Sequence, residues 1–175
     1  MTQQPITRYF QRTKRIPEAV KLEEARRKIH YHLENGDPEG FKVSNFLNKG
    51  KGVVTTKCFK RGDFICEYAG ELLSYTDAKE REKEHGKKDR GCYMYFFEYK
   101  GKKWCVDATE PDETLGRLIN HSKKLANLKT KIVEHRGLPR LIFIATKDIK
   151  SGEELSYDYG DRRRSVVNSL NWLKS

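Results

Sequence analysis

Apolar positions fall into two textures along this chain. From Glu18 to Leu33 they recur at helical spacing. Val20, Leu22, Ala25, Ile29 and Leu33 mark one face, and Asn35-Gly36 supplies a stop, so a helix is predicted over residues 18–33 within an N-terminal flank of 18–37. From Asp37-Pro38 onward, short β-branched and aromatic runs alternate with glycine-containing turns. Phe41–Leu47, Val53–Thr56, Phe64–Ala69, Tyr93–Tyr99, Trp104–Ala108 and Leu141–Thr146 read as strands. Lys60-Arg61-Gly62-Asp63 and Lys150-Ser151-Gly152-Glu153 read as turns between such runs. Thr76-Asp77 reads as the cap of a short charged helix through Glu84, with the run Lys79–His85 as its solvated face. Arg162 to Lys174 reads as a closing helix, with Val166, Leu170 and Leu173 on one side and Trp172 nearby. Residues 1–17 show no period and many polar and basic side chains, which predicts a tail disordered in isolation. The expectation is a mostly β domain over 38–161, with a helix before it and a helix after it at 162–175.

Composition narrows the function classes. A chain of 175 residues has room for one domain with a real core, plus flanks. No apolar run approaches the roughly 20 residues that a membrane span needs, so no membrane role is expected. The N-terminus lacks the apolar stretch of a secretory signal. Cys58, Cys66, Cys92 and Cys105 are scattered and form no CxxC pair, so neither a zinc site nor a disulfide framework is expected. A reducing, intracellular compartment fits this usage. The net charge of +11 leans toward a polyanionic partner, nucleic acid above all, against the plainer reading of a basic surface kept for solubility.

The candidate chemistry lies in two short stretches, Arg117-Leu118-Ile119-Asn120-His121-Ser122 and Glu153 through Asp161. Tyr157 and Tyr159 stand two apart on an extended segment and so point to the same side. Asn120-His121 offers polar groups for a small ligand; alone it could equally be a satisfied polar turn. Gly50 and Gly52 allow a close backbone approach to a ligand, or simply a tight turn. His30, His32, His85 and His135 have no partner pattern, and no role is assigned to them.

Four ordered blocks together are more specific. Lys49-Gly50-Lys51-Gly52, Glu67-Tyr68-Ala69-Gly70-Glu71, Arg117 through Ser122, and Glu153 through Tyr159 resemble the motifs of the SET-domain protein lysine methyltransferases over about residues 40–161. Gly91-Cys92-Tyr93-Met94-Tyr95, Cys105-Val106-Asp107-Ala108-Thr109, Tyr157 through Asp161 and the ending Trp172-Leu173-Lys174 resemble the members that monomethylate the twentieth residue, a lysine, of the histone four tail.

The resemblance implies a β-clip SET fold whose C-terminal segment threads a preceding loop as a pseudoknot. It implies S-adenosylmethionine as cofactor, no metal, and a histone four tail in nucleosomes as substrate, with a monomeric enzyme in the nucleus on chromatin. It carries cofactor contacts onto Lys49, Gly50, Lys51, Tyr93, Asn120 and His121. It makes Tyr159 the catalytic tyrosine beside the reacting amine, Tyr68 part of the lysine channel, and Tyr157 the residue that separates one methylation from several. No cysteine follows Cys105, so the helix over 162–174 would have to complete the site that a cysteine-zinc module closes in many relatives. Two rival readings stay open: a silent SET-fold module kept for chromatin docking, and an enzyme acting on non-histone lysines.

The tail carries a separate motif. Gln3, Ile6, Tyr9 and Phe10 have the spacing of peptides that dock on the replication sliding clamp, with Ile6 and the two aromatics on one helical turn. Arg8 departs from the degradation-linked version of that motif, where an acidic residue is usual.

Overall fold

The computed structural model describes residues 17–47, 49–87, 93–111 and 113–159. The tail motif, the expected closing helix, and Gly91 and Cys92 lie outside the described residues. A helix comes first, α1 at Glu18–Asn35, then β1 at Phe41–Phe46, β2 at Gly50–Thr55, β3 at Phe64–Glu67 and β4 at Glu71–Ser74. A second helix, α2 at Tyr75–Lys87, leads toward β5 at Met94–Tyr99 and β6 at Lys102–Asp107. A single 3-10 turn at Gly116–Leu118 precedes β7 at Asn120–His121. The long hairpin of β8, Leu128–His135, and β9, Leu138–Ala145, follows, and β10 at Ser156–Tyr157 comes last.

Among the described residues four small sheets result: β1-β2, β3-β9-β8, β4-β6-β5 and the parallel pair β7-β10. Two hairpins turn on residues with positive φ. Lys100-Gly101 (50° and 74°) joins β5 to β6, and Arg136-Gly137 (51° and 78°) joins β8 to β9. Two consecutive left-handed residues give the turn whose twist matches the flanking strands. The turns expected at Lys60–Asp63 and Lys150–Glu153 are present, with Gly62 and Gly152 at φ 92° and 89°.

The main core gathers Val53, Ile65, Tyr68, Tyr95, Phe97, Ile119, Leu141, Phe143, Leu155 and Tyr157 from all four sheets. β9 is the central strand of its sheet, and Leu141–Ala145 is buried throughout, as an unbroken apolar run should be. β4 and β8 were not among the expected strands. Leu128–His135 carries Lys129, Lys131 and Glu134 and reads as polar, yet it pairs residue for residue with β9.

The helices differ from expectation in instructive ways. Only the C-terminal half of the α1 stripe is used: Ile29 and Leu33 pack on Phe64, Ile142, Ile144 and Val133, while Leu22 is 70% exposed. His32 stacks on the Phe64 ring at 5.3 Å, and His30 Nδ1 meets His135 Nδ1 at 2.8 Å, a bond that needs one of the two nitrogens unprotonated. Burial and the neighbouring His30, Arg136 and Arg140 hold the His135 pKa low, against the opposing pull of Glu34. The start of α2 is capped by Ser74 rather than Thr76 or Asp77. Its hydroxyl accepts from Asp77 N–H at 3.3 Å and donates to the Asp77 carboxylate at 2.8 Å. The charged run on α2 is not all solvated either, because Arg81 and His85 reach the buried Asp107 on β6 at 3.4 and 3.3 Å.

Candidate active site

The segment 153–159 is wedged between two others, and that wedge brings distant residues together. On one side Thr55 N–H donates to Glu153 C=O and Leu155 N–H to Val53 C=O, at 3.0 and 2.8 Å. On the other, Ser122 N–H donates to Tyr157 C=O and Asn127 N–H to Ser156 C=O, at 3.1 and 3.0 Å. The buried Asn127 side chain clamps the same segment, accepting from Ser156 N–H at 3.0 Å and donating to Glu154 C=O at 2.9 Å. This crossing against residues 120–127 is the packing a pseudoknot requires.

A line of rings runs through the wedge. Tyr157 is fully buried, with its ring edge-on to Phe143 at 4.8 Å and tilted against Tyr159 at 4.8 Å. Tyr159 in turn meets the His121 ring at 5.1 Å. In the other direction Phe143 meets Tyr68 at 6.2 Å, and Tyr68 meets Tyr95 at 5.6 Å. Tyr157 and Tyr159 therefore share a side, as their spacing predicts. Aromatic faces of this kind favour cations.

Hydrogen bonds orient the ends of these side chains. Tyr159 hydroxyl donates to Ile119 C=O at 2.9 Å, which fixes the direction of its ring. Tyr159 N–H donates to His121 Nδ1 at 2.9 Å, so that nitrogen serves as the acceptor and fixes the ring beside Tyr159. Tyr68 hydroxyl donates to Tyr93 C=O at 2.8 Å, which ties the end of β3 to the entry of β5. The Tyr93 ring carries the Arg117 guanidinium 4.2 Å from its centre, and Arg117 Nη1 also donates to Thr109 C=O at 3.2 Å. Glu67, just before Tyr68, is gripped two-fold by Arg140 at 2.6 and 3.1 Å.

The polar end is built on glycine. A Cβ placed on Gly52 would lie 2.4 Å from Asn120 Nδ2 and 2.8 Å from the Phe46 ring, so only glycine lets the amide lie against β2. Asn120 Nδ2 donates to Glu154 Oε1 at 3.1 Å, and Lys49 Nζ donates to Glu154 Oε2 at 2.8 Å. Gly50 opens β2 at φ 70°, and Lys51 is exposed opposite Asn45. Gly116 is closed in similarly: a Cβ there would strike Glu67 C=O at 2.3 Å, so the 3-10 turn sits directly on the chain at Tyr68.

The wedge thus joins Tyr157, Tyr159, Asn120 and His121, and the ring line leads from it to Tyr68, whose hydroxyl meets Tyr93 C=O. Lys49 reaches the same place through Glu154. Sequence reasoning did not single out Glu154, Asn127, Arg117, Tyr95 or Phe143. Glu154 and Arg117 lie inside the motif stretches, a signal that could have raised them; Asn127 carried none. Among the described residues no group of three or more His, Cys, Asp or Glu could hold a metal ion.

A fold of small sheets with a C-terminal wedge, a ring-lined interior and a glycine-asparagine cradle defines the class. The chain belongs to the SET-domain family, whose model matches residues 50–160. It is 46% identical over 153 residues to the N-lysine methyltransferase KMT5A of Xenopus tropicalis, a match covering 87% of this chain and 45% of that protein. It is 41% identical over 172 residues to the histone-lysine N-methyltransferase set-1 of Caenorhabditis elegans, covering 96% of this chain and 71% of that one. The crystal structure of CpSET8 from Cryptosporidium superposes with a TM-score of 0.71 at 36% identity, over 90% of this chain and 69% of that one. The chain spans about half the length of the frog relative.

Proposed function

We propose that this chain is an S-adenosylmethionine-dependent protein-lysine N-methyltransferase that places one methyl group on the lysine at the twentieth position of the histone four tail. The observation that carries the reading is the pairing of Tyr157 and Tyr159 with the Asn120-Gly52 cradle in one wedge. The relatives named as KMT5A and as histone-lysine methyltransferases support the reaction and the substrate.

The residues present fit the cofactor. The glycine cradle brings the Asn120 amide against β2, a polar group suited to a ligand with an amino-acid end, and the ring line suits a sulfonium beside it. Asn120, His121, Lys49, Gly50, Lys51 and Tyr93 would hold it. When bound, S-adenosylmethionine supplies an electrophilic methyl group and a positive charge.

The attacking lysine must be neutral. With a free pKa near 10.4, deprotonation at pH 7 costs about 4.6 kcal/mol. Tyr159 is no strong base, since its proton is held by Ile119 C=O. Burial of the lysine among aromatic walls lowers its pKa, and its proton leaves to water. Tyr159, its ring fixed by the bond to Ile119 C=O, then serves by setting the line of approach of the reacting groups. Tyr68, held by Tyr93 C=O, lines the lysine's path. Tyr157 keeps a phenol in the space a methylated amine would need, so transfer stops at one.

The charge of +11 suits nucleosomal DNA rather than the cationic tail, with Arg26, Arg27 and Lys28 on α1 among the candidate contacts. A nuclear, chromatin-bound role follows, and Gln3, Ile6, Tyr9 and Phe10 would add the sliding clamp as partner. The deciding experiment methylates nucleosomes and free histones and reads site and methyl count by mass spectrometry. Tyr159→Phe should reduce turnover at least tenfold while cofactor affinity stays within a fewfold. An unmodified histone four tail sinks the substrate reading, and near-normal turnover in the variant removes Tyr159 from its role.

A further inference from the structure

Glu154 touches two candidate cofactor residues and has no role so far. Its backbone is pinned on both sides, bridged to Val54 and capped at its carbonyl by the Asn127 amide at 2.9 Å. Its side chain, 22% exposed, spends both oxygens on named donors: Lys49 Nζ at 2.8 Å and Asn120 Nδ2 at 3.1 Å. An ionised carboxylate can only accept hydrogen bonds. The Asn120 amide must therefore present its NH2 to Glu154 and turn its Oδ1 away. Gly52 leaves room for the amide, since a Cβ there would stand 2.4 Å from Asn120 Nδ2. The Glu154 carboxylate holds that amide in one of its two orientations.

We propose that Glu154 is a positioning residue that fixes the Asn120 amide with Oδ1 toward the ligand, and so selects the α-ammonium group of the cofactor. The inference rests on the proposed methyltransferase reading. An oxygen facing the ammonium accepts its hydrogen bond; the NH2 in its place would oppose it, donor to donor. A glutamine at position 154 can donate as well as accept, so it holds either orientation of Asn120 equally well. The same carboxylate engages the Lys49 ammonium, which keeps that charge turned to Glu154 rather than to a cationic ligand group.

The test compares two ligands by calorimetry: S-adenosylhomocysteine and its analogue lacking only the α-amino group. Wild type should bind the amine-bearing ligand at least tenfold more tightly. Glu154→Gln should shrink that preference to within about threefold, with a melting temperature within a few degrees of wild type. Lys60→Ala, which removes a surface ion pair with Asp148 outside the cradle, should keep the preference. Should Glu154→Gln fail to fold, Glu154→Asp takes its place: its carboxylate is one methylene short of Asn120, and the preference should fall in the same way. A preference unchanged by loss of the Glu154 contact, or lost equally in Lys60→Ala, overturns the role of Glu154 while leaving the cofactor reading intact. Equal wild-type affinity for the two ligands does the same. A wild-type chain that binds neither ligand overturns both readings.

Discussion

Gly52→Ala adds one methyl group at the tightest point of the cradle. Its Cβ would fall 2.4 Å from Asn120 Nδ2 and 2.8 and 2.9 Å from two Phe46 ring carbons. Ordinary contact begins at 3.4 Å, so the amide must retreat by about 1 Å, the difference between 3.4 and 2.4. That movement breaks the 3.1 Å bond to Glu154. Overpacking costs about 1–3 kcal/mol and the lost hydrogen bond about 1 kcal/mol. A total near 3 kcal/mol, at about 3 °C per kcal/mol for a chain of this size, lowers the melting temperature by roughly 9 °C. Displacing Asn120 by that much should also weaken S-adenosylhomocysteine binding at least tenfold. Gly137→Ala is the control. It sits in the β8–β9 turn at φ 78°, and a Cβ there meets nothing within 4 Å. It should cost about 1–2 kcal/mol in backbone strain and leave the dissociation constant alone. Scanning calorimetry and titration calorimetry on both variants read the two effects separately. A Gly52→Ala protein that melts and binds like wild type would refute the close approach of Asn120 to β2.

Three further outcomes are expected. Tyr157→Phe should yield dimethyl-lysine where wild type stops at one methyl, read by mass spectrometry; a wild type that makes di- and trimethyl-lysine readily defeats the argument. Burial alone would raise the Asp107 pKa, but hydrogen bonding with Thr109, whose N–H donates at 3.0 Å, and with His85 holds it below the usual 3.8. A depressed folded pKa gives stability that is complete above the unfolded pKa and lost as pH falls through the folded value. Asp107→Asn should therefore lower the melting temperature at pH 7, by an amount corresponding to about 1–3 kcal/mol, and the gap to wild type should close as pH drops below about 4; a gap constant from pH 7 to 3 contradicts it. Tyr9→Ala with Phe10→Ala should abolish capture by the sliding clamp in a pull-down and leave peptide methylation intact.

What the sequence determined by itself was local. The helical period of α1, the strand runs and the two glycine turns follow from side-chain spacing and backbone preference, and each survives in the fold within a few residues. The motif blocks were legible because ligand chemistry demands those residue types at short spacing. Tyr157 and Tyr159 face the same way through the strand period alone. The tertiary structure decided what no period encodes. β8 is a strand because β9 offers it a partner, not because its own pattern alternates. His30 finds His135 across 105 positions, and Glu154 finds Lys49 across the same distance in the chain. All five residues of the α1 stripe read as one apolar face from sequence, yet of these only Ile29 and Leu33 pack against the β3-β9-β8 sheet. The cradle itself is a tertiary object: Gly52 is required to be small by an amide 68 positions later, held in place by a carboxylate later still. Spacing records what neighbours along the chain share. Contacts between segments depend on how the sheets close on one another, and burial of the common core sets that.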